Sequence, residues 1–398
     1  MKKIAVVFEG NYLNRYGGFN AVINRVASLM AVADYDIDVF MIQVYDKGLS
    51  RLRNNSFTTD ERPATIDVDG IEVHMWWVPR SWIDSIKHRL LGHKPVAMLH
   101  RLRDLSEKVK DYDIVSAHDR VAAHVACEAS RRYGMPAFLS WHGASIYTDP
   151  VADRMIRNVT IELLKRAECN FFVSEGLVRE AQKLTPDFKY EILLNGAPAQ
   201  FHRYSDDERR SLRDRFGTAG ARVVAFAGRF EPVKNVLWLP RIFDLIKQRY
   251  HGPVKFWAIG DGCQHDEVQR QFQELGLDYK MWGKVKPELM PDLLNCVDVL
   301  VLPSRLEGFP LVTIEAIACG ANAVASDIVS TAEGVGKDNA FKLDDHFIDN
   351  IANRAVQMLD THIEQHLPSY CSCAYTAEKE NAIYHRYLDN PKKEASSR

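Results

Sequence analysis

No run of about 18 apolar residues occurs anywhere in this 398-residue sequence, so no helix is expected to span a membrane. Nor is a secretory leader expected. The opening MKKIAVVFEG has only five apolar residues before Glu9, which reads as a first β-strand. Charge of one sign is missing: the net charge is −2, which gives no reason to expect a nucleic-acid partner or an acidic tail. Cysteine is sparse and unpatterned. The seven residues 127, 169, 263, 296, 319, 371 and 373 are odd in number and lie mostly inside apolar runs, as reduced thiols of a cytoplasmic protein would. Cys371 and Cys373 have no second Cys/His pair at ligand spacing, so a zinc site is not expected. The dinucleotide fingerprint G-x-G-x-x-G does not follow the first strand. Internal repeats and low-complexity segments are also lacking.

What is present is alternation. Short apolar runs at 4–8, 36–44, 71–78, 113–117, 136–141, 170–174 and 190–195 are separated by helix-length amphipathic stretches such as 22–33. After polar, helix-breaking text at 196–222 the pattern restarts at 223–228, 254–260, 279–283 and 297–302. Near-continuous apolar strands separated by helices predict parallel sheets covered on both faces. The length suits two domains of roughly 150–200 residues. The expected organisation is α/β, with two Rossmann-like doubly wound domains at 1–200 and 201–374, then a terminal helix and tail at 375–398.

Several strand ends carry chemistry. Gly17-Gly18 lies between the first strand and a helix, where residues without Cβ let backbone amides approach an anion; a plain structural turn explains the pair equally. FAGRFEPVKN (226–235) places Arg229 and Lys234 on a loop opening a helix, a fork and a point charge suited to a diphosphate or two solvated surface cations. IGDG (259–262) and WGKV (282–285) are further glycine-broken strand ends. His142, in WHGAS, ends another strand and is either a hydrogen-bonded structural group or a site residue. RLEGFPLVTIEAIACG (305–320) sets Glu307 on a turn and Glu315 inside the following helix. Early helix amides bind an anion and a carboxylate accepts two hydrogen bonds from a diol. A ribose diol, a diphosphate and sugar hydroxyls match that layout, so a nucleotide-sugar is the expected ligand.

The ordered set YGGFN, WHG, SEGLVREA, NGAPAQF, AGRFEPVKN, IGDG and LPSRLEGFPLVTIEAIACG resembles the retaining GT-B glycosyltransferases of family four. The resemblance covers nearly all of the chain, and the paired glutamates are its most specific element. It implies two domains facing a cleft, with the C-terminal helix crossing back to the N-domain. It implies that Gly17 and Gly18 give amides to the diphosphate, that Arg229 and Lys234 neutralise it, and that Glu307 holds hydroxyls of the transferred sugar. Gly308, Phe309 and Leu311 would lie at the donor, Glu315 on the ribose, and His142 near the sugar and acceptor. The chain departs from the pattern at Asn235, where glycine is usual, at Ala197-Pro198 after Asn195-Gly196, and in SDIVSTAEGVG, which lacks the familiar glycine pair.

The implied reaction moves a hexose or similar sugar from a nucleoside-diphosphate sugar, a UDP-sugar by preference, to a hydroxyl acceptor with retention. No cofactor or catalytic metal is expected: Asp-x-Asp at 34–36, 36–38, 67–69 and 111–113 falls at strand starts or turns. Residues 80–103 carry six Lys/Arg, three His and one acid, with tryptophans nearby. This is either a core-packed helix or a basic surface for an anionic membrane or lipid-linked glycan acceptor in cell-envelope polysaccharide synthesis, at the inner face of the membrane. An epimerase or hydrolase of the same fold, or a non-catalytic nucleotide-sugar-binding partner, are the competing functions.

Overall fold

Strands that are apolar on both faces need helices on both faces, and the observed architecture follows from that requirement. The computed structural model describes residues 1–11, 18–47, 62–81, 96–328, 330–361 and 363–389. Two units form: Met1–Leu194 together with the chain from Thr376 onward, and Asn195–Tyr375.

The first unit holds β1 (Lys2–Glu9), β2 (Tyr35–Lys47), β3 (Thr65–Val68), β4 (Ile71–Ser81), β5 (Ile114–His118), β6 (Ala137–Trp141), β7 (Cys169–Phe172) and β8 (Tyr190–Ile192). Their order in the sheet is β3-β4-β2-β1-β5-β6-β7-β8. Every pairing is parallel except β3 with β4. That hairpin turns on Asp69 (φ 53°) and Gly70 (φ 82°), the two left-handed residues a tight two-residue hairpin demands. The second unit holds β9 (Arg222–Ala227), β10 (Val254–Ile259), β11 (Tyr279–Gly283), β12 (Val299–Leu302), β13 (Asn322–Ser326) and β14 (Ala340–Phe341), ordered β11-β10-β9-β12-β13-β14 and all parallel. The doubly wound α/β class expected from the alternation is therefore present in both units. Each sheet reverses its strand order once, between β1 and β5 and between β9 and β12. Ligands of such sheets bind beyond the carboxyl ends at that reversal.

One face of the first sheet packs Ile4, Val6, Phe8, Ile114 and Phe138 against Phe19, Val22 and Val26 of helix Gly18–Val32, and against Ile383 and Tyr384 of helix Cys373–Asp389. The terminal helix thus belongs to the first unit from Thr376. A buried ion pair locks it there. Arg25 Nε donates to Glu380 Oε2 at 2.5 Å, with side chains only 6% and 3% exposed, while the Tyr384 hydroxyl donates to Glu380 Oε1 at 2.5 Å. In the second unit Ala197 N donates to Cys371 O at 2.7 Å. A Cβ on Gly196 would lie 2.1 Å from the Cys373 nitrogen, so only glycine lets these two segments run together. No helix among the described residues is long and apolar enough to cross a membrane.

Removing one partner of a buried pair strands the other's charge, whereas removing both does not. Glu380→Ala should therefore lose about 3–5 kcal/mol in urea unfolding, and Arg25→Met combined with Glu380→Leu distinctly less. Equal losses in the single and double variants would show that the pair's charge is not what matters.

Candidate functional site

In the second unit, Val224 of β9 lies in register with Val299 of β12, so the loops leaving these two strands are neighbours. The first loop carries Gly228 through Asn235, the second Pro303 through Pro310. Across them Lys234 Nζ donates to Glu307 Oε1 at 2.5 Å, joining residues 73 apart in sequence. The two side chains are 16% and 12% exposed. Ser304 Oγ donates to the same carboxylate oxygen at 2.7 Å and is itself fully buried. Glu307 is therefore fixed from two directions. Arg229 is exposed and forms no ion pair with any described residue. Beside this loop a Cβ on Gly260 (φ 126°) would fall 1.9 Å from Gly228 O. The glycine of IGDG thus serves close packing of the strand ends of β9 and β10.

Gly308 is partly buried and Phe309 is buried, and they lead through Pro310 into helix Leu311–Ala318. Thr313 closes its first turn, its N–H and Oγ–H donating to Pro310 O at 3.1 and 2.7 Å. The amide of Leu311 stands in this first turn, ahead of any intrahelical acceptor. Glu315 follows on the next turn, partly buried, its carboxylate with no hydrogen-bond or ion-pair partner among the described residues. Burial alone pushes its carboxyl up to about 7. A carboxylate desolvated without compensation is costly to keep in a core, and such groups concentrate where a ligand supplies the missing donors.

In the first unit, Gly18 begins helix Gly18–Val32, and a Cβ there would meet nothing within 4 Å. Among the described residues nothing places a steric demand for glycine at this position. Gly17 lies outside the described residues. His142 follows β6, and its Nε2 sits 2.9 Å from Nδ1 of His118, the last residue of β5, with the rings 5.2 Å apart and 13° from parallel. Burial holds both rings below the ordinary histidine range. The Arg25 charge adds to the effect on each, and Asp119 partly offsets it at His142. Two neutral rings at that distance share one N–H. The other ring nitrogen of His142, Nδ1, is buried with no partner among the described residues. Asp119, in a left-handed conformation (φ 64°), accepts from the His142 backbone N–H at 3.3 Å.

Lys234, Glu307, Gly308, Phe309, Leu311 and Glu315 are thus brought onto two adjoining loops and one helix. His142 is placed in the other unit, beyond the strand next to that unit's sheet reversal. Sequence reasoning missed His118, although SAHD ends a parallel strand as WHG does; the same signal was there. It also missed Ser304, whose role depends on a turn that no spacing reveals. Of the basic segment 80–103, residues 82–95 lie outside the described residues. In its described part Arg101 stacks on Trp76 at 4.8 Å, and Trp76 Nε1 donates to Arg101 O at 2.9 Å. Asp36 and Asp113 pair with Lys3 and Lys2 at the amino edge of the first sheet, and Asp38 accepts from Tyr112. Among the described residues no group of His, Cys, Asp and Glu has the arrangement to hold a metal ion.

The sequence matches the family described as Glycosyl transferases group 1 over residues 221–361, and the Glycosyl transferase 4-like domain over residues 17–196. Similar curated proteins include an uncharacterized glycosyltransferase of Methanocaldococcus jannaschii, 27% identical over 55% of this chain and 59% of its own length. A D-inositol 3-phosphate glycosyltransferase of Streptomyces scabiei is 24% identical over 78% of this chain and 71% of its own. The match thus spans little more than half of the archaeal relative. Among solved structures, Anabaena HepE in complex with UDP and glucose superposes with a TM-score of 0.65 at 17% identity, over 99% of each chain. Sucrose-phosphate synthase of Thermosynechococcus elongatus superposes at 0.72 and 15% identity, over 98% of this chain and 100% of its own. These likenesses establish the GT-B fold.

With the Glu315 carboxyl at about 7 in the fold, and about 4.3 expected for an unfolded glutamate, the native state holds the extra proton between those values. Native stability should therefore fall as pH rises through that window and level off above it. Glu315→Gln cannot ionise and should flatten this slope, gaining on the wild type in urea midpoint between about pH 5 and 8. A wild-type-to-variant difference that stays constant over that range would mean that Glu315 titrates normally.

Proposed function

The chain belongs to the group 1 glycosyl transferases with the GT-B fold, and from that premise we propose that it transfers a sugar from a nucleoside-diphosphate sugar, a UDP-sugar by preference, to a hydroxyl of a glycan or lipid-linked acceptor with retention of configuration. The observation that carries this reading is the Lys234–Glu307 pair set beside a partnerless, partly buried Glu315 at the strand-order reversal of the second sheet. Each group lacks, or can exchange, the partner that one part of such a donor would provide.

In this mechanism the diphosphate draws Lys234 away from Glu307 and engages exposed Arg229, while the amides of Phe309 and Leu311 face the phosphates. Gly18 is assigned a backbone contact to a donor phosphate, as is Gly17, which lies outside the described residues. Glu307, still held by Ser304, accepts from sugar hydroxyls; Glu315 accepts from the ribose diol. Fixed cations and helix amides stabilise the charge that grows on the leaving phosphate, which needs no reorganisation at the moment of reaction. We assign that neutralisation to Lys234 and Arg229 rather than to a metal. No second carboxylate is assigned as a nucleophile, so the reaction is written on one face of the sugar, with the leaving phosphate taking the acceptor proton. His142, neutral and with Nδ1 unpartnered, is assigned to the sugar and acceptor side. The basic segment 80–103 is assigned to an anionic acceptor at the inner membrane face.

A panel of UDP, GDP, ADP and CDP, with and without magnesium, should give one clear thermal shift independent of the metal. A ligand at 100 times its dissociation constant adds about 2.7 kcal/mol. No shift with any of them would sink the donor reading. Glu315→Ala should weaken the binding nucleotide about tenfold or more, through loss of charged hydrogen bonds. Glu307→Ala should abolish sugar transfer without weakening nucleotide binding, since it frees Lys234 for the diphosphate. Because hydrogen bonds from a diol favour the ionised carboxylate, nucleotide binding near pH 7 should release a proton from Glu315. Calorimetry in buffers of different ionisation enthalpy reads that release, and a release of equal size in Glu315→Gln would assign it elsewhere.

A further inference from the structure

Lys234 reaches Glu307 only if two separate loops stay at a fixed spacing, and the residue that spans them is Asn235. It is 4% exposed and left-handed (φ 51°, ψ 33°), a conformation that asparagine tolerates better than most residues. Its side chain uses both ends of its amide. Nδ2 donates to Pro303 O at 2.9 Å, and Oδ1 accepts from Arg305 Nε at 2.5 Å. A backbone bond runs alongside, Arg305 N donating to Val233 O at 2.8 Å. Pro303 and Arg305 flank Ser304, whose hydroxyl holds Glu307, and Ser304 O in turn accepts from Ser326 Oγ at 2.5 Å. The loop bearing Lys234 is thus pinned, one residue beyond it, to the loop bearing Glu307.

Glycine would satisfy the backbone angle equally well and would supply neither side-chain bond. The left-handed turn alone does not explain asparagine here; the two bonds across the loops do. We propose that Asn235, with Arg305 as its partner, is a positioning residue. It holds the Lys234 and Glu307 loops at the spacing where the pair closes in the free protein and reopens around a ligand without the backbone moving. In its ligand-bound part the inference rests on the nucleotide-sugar reading above.

The closing experiment has a readout that needs no nucleotide. A lysine held in a partly buried ion pair acylates slowly, so reaction of the folded protein with an amine-directed ester, followed by mass spectrometry, reports on the pair. Asn235→Gly keeps the backbone angle and removes the bonds. It should raise the labelling rate of Lys234 on the order of tenfold, in line with the worth of two hydrogen bonds, and leave the surface lysines Lys183 and Lys255 unchanged. Asn235→Asp can still accept from Arg305 but sets an acceptor against Pro303 O, so it should label at a rate between those of Asn235→Gly and the wild type. An unchanged Lys234 rate in Asn235→Gly, or a rise shared by all lysines, would overturn the proposal. In parallel, UDP and the other three diphosphates are titrated into both proteins. A wild type that binds none of them sinks the donor reading and leaves the labelling result standing. A wild type that binds, beside an Asn235→Gly variant of equal affinity, sinks the positioning role in ligand binding.

Discussion

The parallel pairing of β9 with β12 is the constraint on which the second unit's chemistry depends. These strands are far apart in sequence, and each is followed by a loop rich in polar and glycine residues. Placing them side by side at the strand-order reversal sets both loops over the same crevice, because no helix crosses there to separate them. Everything local then follows at short range. The close approach of Gly260 to the Gly228 carbonyl draws the strand ends together, Asn235 ties the two loops, and Lys234 meets Glu307. A bulkier residue at 260 would reach the site through the backbone of Gly228 rather than through any ligand contact.

The two units handle buried charge in opposite ways. In the first, Arg25 and Glu380 neutralise each other inside an apolar layer, and the pair holds the terminal helix. Even so, the terminal nitrogens of Arg25 have no partner among the described residues, and their charge helps keep His118 and His142 neutral. In the second unit Glu315 is desolvated with no cation beside it. The first arrangement compensates its charges within the fold, whereas the second favours the fold least where the carboxyl ionises. A group that costs stability at neutral pH and is nonetheless set on a rigid helix is best explained by what it gains when a donor-rich ligand arrives.

Most of the fold was legible because its strands are short apolar runs bounded by glycine or polar text, as in VVAFAG and VDVLVL. β13 and β14 were missed for a physical reason. NAVAS is small and weakly apolar, and a two-residue edge strand has no periodicity to detect. β3 was missed although its Asp-Gly turn announced a hairpin. The positions of Glu307 and Glu315 were also legible, as a turn and the helix behind it. Their circumstances were not. That Glu307 is satisfied by Lys234 and Ser304 while Glu315 is left alone depends on strand order and loop spacing, and neither is written in local sequence. The departure at Asn235 could be seen in the sequence as a missing glycine. Its meaning required Arg305 and Pro303, some seventy residues away, to be placed against it.

The resting pair bears on how binding energy is used. An ion pair at 2.5 Å with both members mostly buried is not free to open, since each charge would be left partly desolvated. A neutral sugar offers Glu307 hydrogen bonds but nothing for Lys234, and inorganic phosphate offers Lys234 a partner but nothing for Glu307. On the reading proposed above, a ligand carrying a diphosphate and sugar hydroxyls in one molecule would compensate both members at once, so the exchange of partners would cost least for the intact donor. Discrimination of this kind is built from an interaction that must be surrendered, and it works against fragments as well as for the whole. Such an exchange would also require that the two loops hold still while their side chains trade partners. That places the demand for rigidity on the backbone around Asn235 and Ser304, and the demand for mobility on the side chain of Lys234 alone.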